Sequence, residues 1–246
     1  MTAGLSIIIP ALNEAATLPR LLAALAAEPP AEIVVVDGGS TDGTAALAAA
    51  AGVRVLQTRP GRGRQLGAGA DAAAGDILLF LHADTTFPAG GLAAIGAALA
   101  ADPALVGGNF RLRFDGDSEF AAWLTGLYAR LRLRGVYYGD SGVFVRRDAY
   151  ARLGGIRPLA LMEDYDFTRR LEQLGTTCCI GEPLLVTSSR RFAGRRKRAI
   201  VAGWLFIHLL YHLKGPTGVL AWLYDSTRRR RHPAVQRASN PFSAQS

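Results

Sequence analysis

The sequence predicts an α/β fold: a mixed, mostly parallel sheet flanked by helices, with a helical appendage at its C-terminal end. Three observations carry this reading. Short β-branched runs alternate with helix-period stretches over the first 80 or so residues, which builds right-handed βαβ crossovers and parallel strands. Glu14, Asp37 and Asp84 fall just after or at the ends of the first, second and fourth predicted strands, on the rim where open α/β sheets bind ligands. Finally, the charge balance changes abruptly near residue 188. Residues 1–187 carry 16 Lys and Arg against 19 Asp and Glu, whereas residues 188–246 carry 12 against one.

Taken in order, residues 5–10 (LSIIIP) form a strand of the buried parallel type, closed by Pro10. Apolar positions at Leu18, Leu21, Leu22 and Leu25 predict a helix, with Asn13 as its cap and Pro29-Pro30 as its stop. Residues 33–36 make a second strand, Thr41 caps an Ala-rich helix running to Ala51, residues 53–56 make a third strand, and residues 65–74 a third helix. The fourth strand, 77–81, exits into His82-Ala83-Asp84-Thr85. This first half is Rossmann-like. The rhythm then changes: a helix at 92–101, an alternating, antiparallel-type strand at 106–114 (VGGNFRLRF), a helix at 118–134 and a strand at 139–146. The helix expected at 162–174 opens on Glu163, Asp164 and Asp166, which suit the positive end of its dipole. With no internal repeat and no linker before residue 188, the organisation expected is one domain over 1–192 and a basic, apolar tail over 193–246.

A chain of 246 residues that is 50% hydrophobic and 20% charged is excluded from the disordered and fibrous classes. Its two cysteines, Cys178 and Cys179, are adjacent and cannot form an ordinary structural bridge with each other, which suits a reducing cytosol. The opening segment lacks the basic start and long apolar run of a signal peptide, and no apolar run spans a bilayer, so neither secretion nor a membrane span is expected. In the tail, Arg190, Arg191, Arg195, Arg196, Lys197 and Arg198 precede an apolar, aromatic stretch, and Arg228 to Arg231 follow it. That pattern fits helices on an anionic membrane face at the inner side of the membrane, or an amphipathic helix packed on the main domain with a solvated basic rim. Sequence-specific nucleic-acid binding is not expected.

Several segments carry chemistry. Asp37, followed by GGSTDGT, can accept hydrogen bonds from a base or ribose, although the same residues also read as a turn with a helix cap. The first strand is not followed by G-x-G-x-x-G, which disfavours a nicotinamide or flavin cofactor, and there is no Walker loop. Arg59, Arg62 and Arg64 stand in a Gly-rich segment before the third helix, a placement suited to a phosphate group or to a solvated loop. Asp84, with His82 two positions earlier, can hold a divalent ion that bridges a diphosphate; His82 reads equally as a core-facing histidine. Oxygen ligands of that kind favour Mg2+ or Mn2+ over zinc. Glu163 and Asp164 read as dipole-matching acids, or as a desolvated general base. His208 and His212 share a helix face but lack the intervening carboxylate of H-E-x-x-H, so they read as core or interface histidines.

Taken together, SIIIPALNE, VVVDGGSTDGT, the basic Gly segment before GAGADAAAGDILLFLHADT, GDSGVFVRRDAY and MEDYDF resemble family-2 glycosyltransferases of the GT-A fold, over about residues 4–192. Within that family the chain is similar to the short bacterial rSAM/selenodomain-associated transferase 2 branch, to which the SSRRF segment contributes. The resemblance implies that Pro10, Asn13 and Glu14 line the nucleotide pocket, that Asp37 contacts the base, and that Arg62 or Arg64 lies near the nucleotide or its phosphates. It implies Asp84 as the ligand of Mg2+ or Mn2+, Asp164 of the Glu163-Asp164 pair as the base, Gly139 and Asp140 as the border of the acceptor site, and Arg190 and Arg191 as diphosphate contacts. His82 replaces the first acid of the usual D-x-D motif, and Q-x-x-R-W is absent, which argues against processive synthesis. The implied function is inverting transfer of a sugar from a nucleotide-diphosphate sugar to an acceptor hydroxyl; the apolar, Arg-flanked tail, not the resemblance, suggests a lipid-linked or hydrophobic acceptor. A sugar-phosphate nucleotidyltransferase would need a Gly-rich loop with Arg after the first strand, where this chain reads ALNEAATL. A non-catalytic nucleotide-sugar or lipid-binding module is the other alternative.

Overall fold

The structure is a computed structural model and describes residues 4–28, 31–116, 118–189 and 197–221. Its contacts divide the chain into two units, one of residues 1–159 and 163–194, the other of residues 160–162 and 195–246. The larger unit is built on a seven-stranded sheet in the order β3-β2-β1-β4-β6-β5-β7. Strands β1 (Leu5–Ala11), β2 (Glu32–Asp37), β3 (Arg54–Gln57) and β4 (Ile77–Phe80) are mutually parallel where they pair, as the βαβ rhythm requires. Their central residues, Ile7, Ile8, Ile9, Val34, Val35, Leu78 and Leu79, are fully buried, because helices cover both faces of the sheet. The connecting helices are α1 (Leu18–Ala26), α2 (Thr44–Ala50) and α3 (Arg62–Ala72).

The second half is mixed. After α4 (Gly91–Ala101), β5 (Gly107–Phe114) and α5 (Glu119–Arg132), strand β6 (Val143–Arg146) runs antiparallel to both β4 and β5. Strand β5 also pairs in parallel with β7 (Thr177–Thr187), so its alternating pattern foretold only one of its two partners. The chain is completed by α6 (Arg147–Arg152), α7 (Glu163–Leu174) and, in the smaller unit, α8 (Lys197–His212).

Four local expectations are corrected. Asn13 does not cap α1: it sits in the left-handed region at φ 56°, and the helix starts after Thr17. Thr41 does not cap α2, which starts after Gly43 and has no side-chain cap; Asp42 accepts from the Thr44 N–H at 3.1 Å in the turn before it. Residues 139–141 of the expected strand form a 3-10 turn, and only Val143–Arg146 is extended. Helix α3 begins at Arg62 rather than at Gln65, which moves the arginine into the helix.

Candidate active site

The ends of β1 and β2 stand side by side, with Pro10 opposite Val36 and Ala11 opposite Asp37. The loops leaving them are laced together. The Asn13 N–H donates to Ser40 Oγ at 2.9 Å and Asn13 Oδ1 accepts from the Thr41 N–H at 2.9 Å. The Glu14 N–H donates to Thr44 Oγ1 at 2.9 Å, and the Ala15 N–H to Asp42 Oδ2 at 3.0 Å. Asp37 is 2% exposed and its carboxylate accepts from the Gly39 and Ser40 N–H groups, so it shapes the turn that follows it. Beneath these loops, the buried Gln65 donates from Nε2 to the carbonyls of Ala11 and Val36 at 2.9 and 2.8 Å, fixing both strand ends with one side chain.

A second group gathers where α3 meets α7. Arg62 Nε donates to Glu163 Oε1, and its terminal nitrogen lies 3.6 Å from Asp164 Oδ2. The two helix starts can approach because residue 63 is glycine: a Cβ there would stand 2.7 Å from the Arg157 carbonyl and 3.1 Å from Glu163 Cβ. Arg64, by contrast, is exposed and donates to the Pro60 carbonyl. Asp164 accepts from the N–H of Gly139 at 3.1 Å and from that of Tyr165 at 2.8 Å. Gly139 is wedged between two side chains, since a Cβ on it would lie 3.2 Å from both His82 Nε2 and Asp164 Cβ. Next to it Asp140, 3% exposed, accepts from the Tyr128 hydroxyl at 3.3 Å.

The charges of this group are interlocked. Burial pushes the Asp164 carboxyl up, but the Arg62 guanidinium, the Gly139 N–H and His82 outweigh it and hold the group below its ordinary value. Glu163 goes the other way: burial, reinforced by Asp164, outweighs the pull of Arg62 and raises it. Burial opposes the charge on Arg62, yet Glu163, Asp164 and Asp140 together raise its pKa. The proton affinities of two adjacent carboxyls are thus driven apart.

Asp84 lies in the turn leaving β4, closed by the Thr85 N–H donating to the His82 carbonyl at 3.1 Å. An isolated bridge between Thr86 and Val186 pins this turn to β7. Among the described residues no three His, Cys, Asp or Glu side chains gather as metal ligands. Asp84 by itself could offer a hard cation one carboxylate, the remaining ligands coming from water or a bound phosphate. Among the described residues the buried Thr85 Oγ1 beside Asp84 has no hydrogen-bond partner, which fits a polar ligand at this exit.

The sequence profile of glycosyl transferase family 2 matches residues 6–152. The chain belongs to that family. An uncharacterized glycosyltransferase of Mycobacterium tuberculosis is 40% identical over 109 residues, 44% of this chain and 49% of the relative. The glucosyl-3-phosphoglycerate synthase of the same organism is 34% identical over 96 residues, 34% of this chain and 30% of the relative. The family-2 chain thus matches about half the length, or less, of these curated relatives. In three dimensions it is similar to that synthase crystallised with Mn2+, UDP and glucosyl-3-phosphoglycerate, with a TM-score of 0.61, 21% identity, and coverage of 87% of this chain and 81% of the synthase. A Pyrobaculum calidifontis mannosyltransferase in complex with GDP-Man and Mn2+ gives a TM-score of 0.63, 20% identity, and coverage of 86% and 63%. These likenesses establish the GT-A fold.

On this family-2 scaffold, His82, Arg62, Glu163, Asp164, Gly139 and Asp140 form one group. Pro10, Asn13, Glu14 and Asp37 form another, on the neighbouring loops. Arg190 and Arg191 lie outside the described residues. Sequence reasoning missed Gln65 and Gly63. A glutamine on the face of α3 shared with the buried Leu66, Gly69 and Ala70 was the available signal for the first.

Proposed function

We propose that the chain is a glycosyltransferase that moves a hexosyl group from a nucleotide-diphosphate sugar to an acceptor hydroxyl, by a single displacement with inversion. The observation that carries the proposal is the state of Asp164: a largely buried carboxylate at the sheet rim, kept ionised by Arg62 and the Gly139 N–H. A base so held can take the acceptor's proton as its oxygen attacks the anomeric carbon. Glu163 keeps no proton-transfer task in this scheme; it anchors Arg62, which in turn positions Asp164.

The remaining roles follow from place. Pro10, Asn13, Glu14 and Asp37 line the nucleotide side, on loops already ordered against each other. Arg64, exposed at the start of α3, meets the diphosphate; Arg190 and Arg191 are assigned to the same task by the family resemblance alone. We assign His82, which approaches Gly139, to the donor, and Gly139 with Asp140 to the border of the acceptor site. Asp84 would hold a divalent ion, Mg2+ or Mn2+, which when bound would offset negative charge on the leaving nucleoside diphosphate. The synthase and the mannosyltransferase above, which were crystallised with Mn2+ and UDP or GDP-Man, support this choice of donor and ion. We place the acceptor among lipid-linked or otherwise apolar hydroxyl compounds, because the C-terminal stretch is apolar and flanked by arginines.

Calorimetric titration of UDP and GDP into the protein, with and without Mn2+, tests the donor side. Binding of at least one of them, tightened by Mn2+, is expected; the absence of binding to either overturns the proposal.

A further inference from the structure

Helix α8 carries two unlike faces. Ile200 and Ile207, two helical turns apart, are buried. The opposite side presents Leu205, Phe206 and Leu209, with 66%, 49% and 56% of their surface exposed, and Leu213 just past the helix end is 69% exposed. Leu205, Leu209 and Leu213 follow one another at four-residue intervals, so they share one stripe, and Phe206 stands beside it. A contiguous apolar stripe of this kind is costly to leave in water and marks an interaction surface.

Its ends are basic. Arg198, four positions times two from Phe206 and exposed, stands at the start of the helix, and the exposed Lys214 follows its end. The sequence around them reinforces this polarity: residues 188–246 hold 12 Lys and Arg against a single acid. A protein partner would need to be strongly acidic and apolar at once. A lipid surface supplies both properties in layers, with anionic headgroups outside and hydrocarbon beneath. Among the described residues no helix is long and apolar enough to cross a membrane, so the helix would lie in the interface rather than span it.

We propose that α8 docks the protein on an anionic bilayer surface, with Leu205, Phe206, Leu209 and Leu213 in the acyl boundary and the flanking basic residues on the headgroups. The proposal does not rest on the glycosyl-transfer reading, since it concerns lipid binding in the absence of any donor.

The test is flotation of the full chain with vesicles of equal parts phosphatidylcholine and phosphatidylglycerol, and with vesicles of phosphatidylcholine alone. The protein is expected to float with the anionic vesicles, weakly with the neutral ones, and less as salt is raised. A variant carrying Leu205→Glu, Leu209→Glu and Leu213→Glu is expected to lose about tenfold or more in partitioning. A second variant with alanine at the same positions, which adds no charge, should fall between the two. Failure of the native chain to float overturns the proposal, as does flotation of the glutamate variant to the native extent. So does a lipid-free native dimer, seen by ultracentrifugation, that the variant converts to a monomer, because a second copy would then own this face.

Discussion

Arg62 and Glu163 meet across 101 positions of sequence, and the same guanidinium reaches on to Asp164 at 3.6 Å. One cation therefore lowers the proton affinity of two consecutive carboxyls. Glu163, with 2% of its side chain exposed, takes the nearer contact and Asp164 the longer one.

Replacing Arg62 by Met unbalances this arrangement. In the native site Asp164 is held below its ordinary value, so it is ionised at neutral pH and protonates only on acidification past the usual carboxylate range, about 4. Without the guanidinium, burial acts unopposed by its main counter-charge and the pKa rises. The acidic limb of the pH–rate profile should move to higher pH, with a loss of about tenfold or more in kcat at neutral pH. Arg62→Lys should restore part of it. A profile that keeps its acidic limb in place in the Met variant contradicts the role assigned to Arg62.

Gly139 is a steric spacer as well as a donor. Alanine there would put a Cβ 3.2 Å from both His82 Nε2 and Asp164 Cβ, and the two side chains would have to part by tenths of an ångström. Gly139→Ala should lower kcat by about tenfold while leaving nucleoside diphosphate affinity near native. Calorimetry and single-turnover kinetics on the same preparation separate the two effects.

Asp84 is the one protein carboxylate assigned to the ion. Asp84→Asn should weaken the Mn2+-dependent part of nucleoside diphosphate binding by about tenfold or more and leave the metal-free part alone. Its thermal stability should stay close to native, since the side chain is only half buried.

Gln65 holds the rim rather than the reactants. Gln65→Leu removes both bonds to the Ala11 and Val36 carbonyls and should cost about 1 to 3 kcal/mol. For a chain of this size that is a fall in Tm of about 3 to 10 °C, measurable by calorimetry. An unchanged Tm would mean that the strand ends are fixed by something else.

The parallel half of the sheet was readable because its strands are short β-branched runs separated by helix-period segments, and the pairing of neighbours follows from crossover handedness. Strand β7 escaped, since TCCIGEPLLVT has Gly181 and Pro183 in its middle and exposed residues around them, unlike a buried run. Helix α6 escaped because six residues give too little periodicity to see. Within the site, Asp37, Asp84 and Asp164 were visible as acids at expected strand or helix ends. The partnership of Arg62 with Glu163 was not, because it depends on Gly63 letting two helix starts touch, a tertiary fact that no local spacing encodes. The same contact explains why this arginine faces the acids, while Arg64 remains exposed.

The central claim is that Asp164 is the base of a metal-assisted sugar transfer. It is tested most directly by following release of nucleoside diphosphate from a panel of nucleotide-diphosphate sugars, with Mn2+, for the native protein and for Asp164→Asn. The account predicts slow, Mn2+-dependent turnover of at least one donor by the native protein, and its near-complete loss in the variant with donor binding retained. Equal turnover by the two proteins, or binding of donors without turnover by the native protein under any acceptor tried, would contradict it.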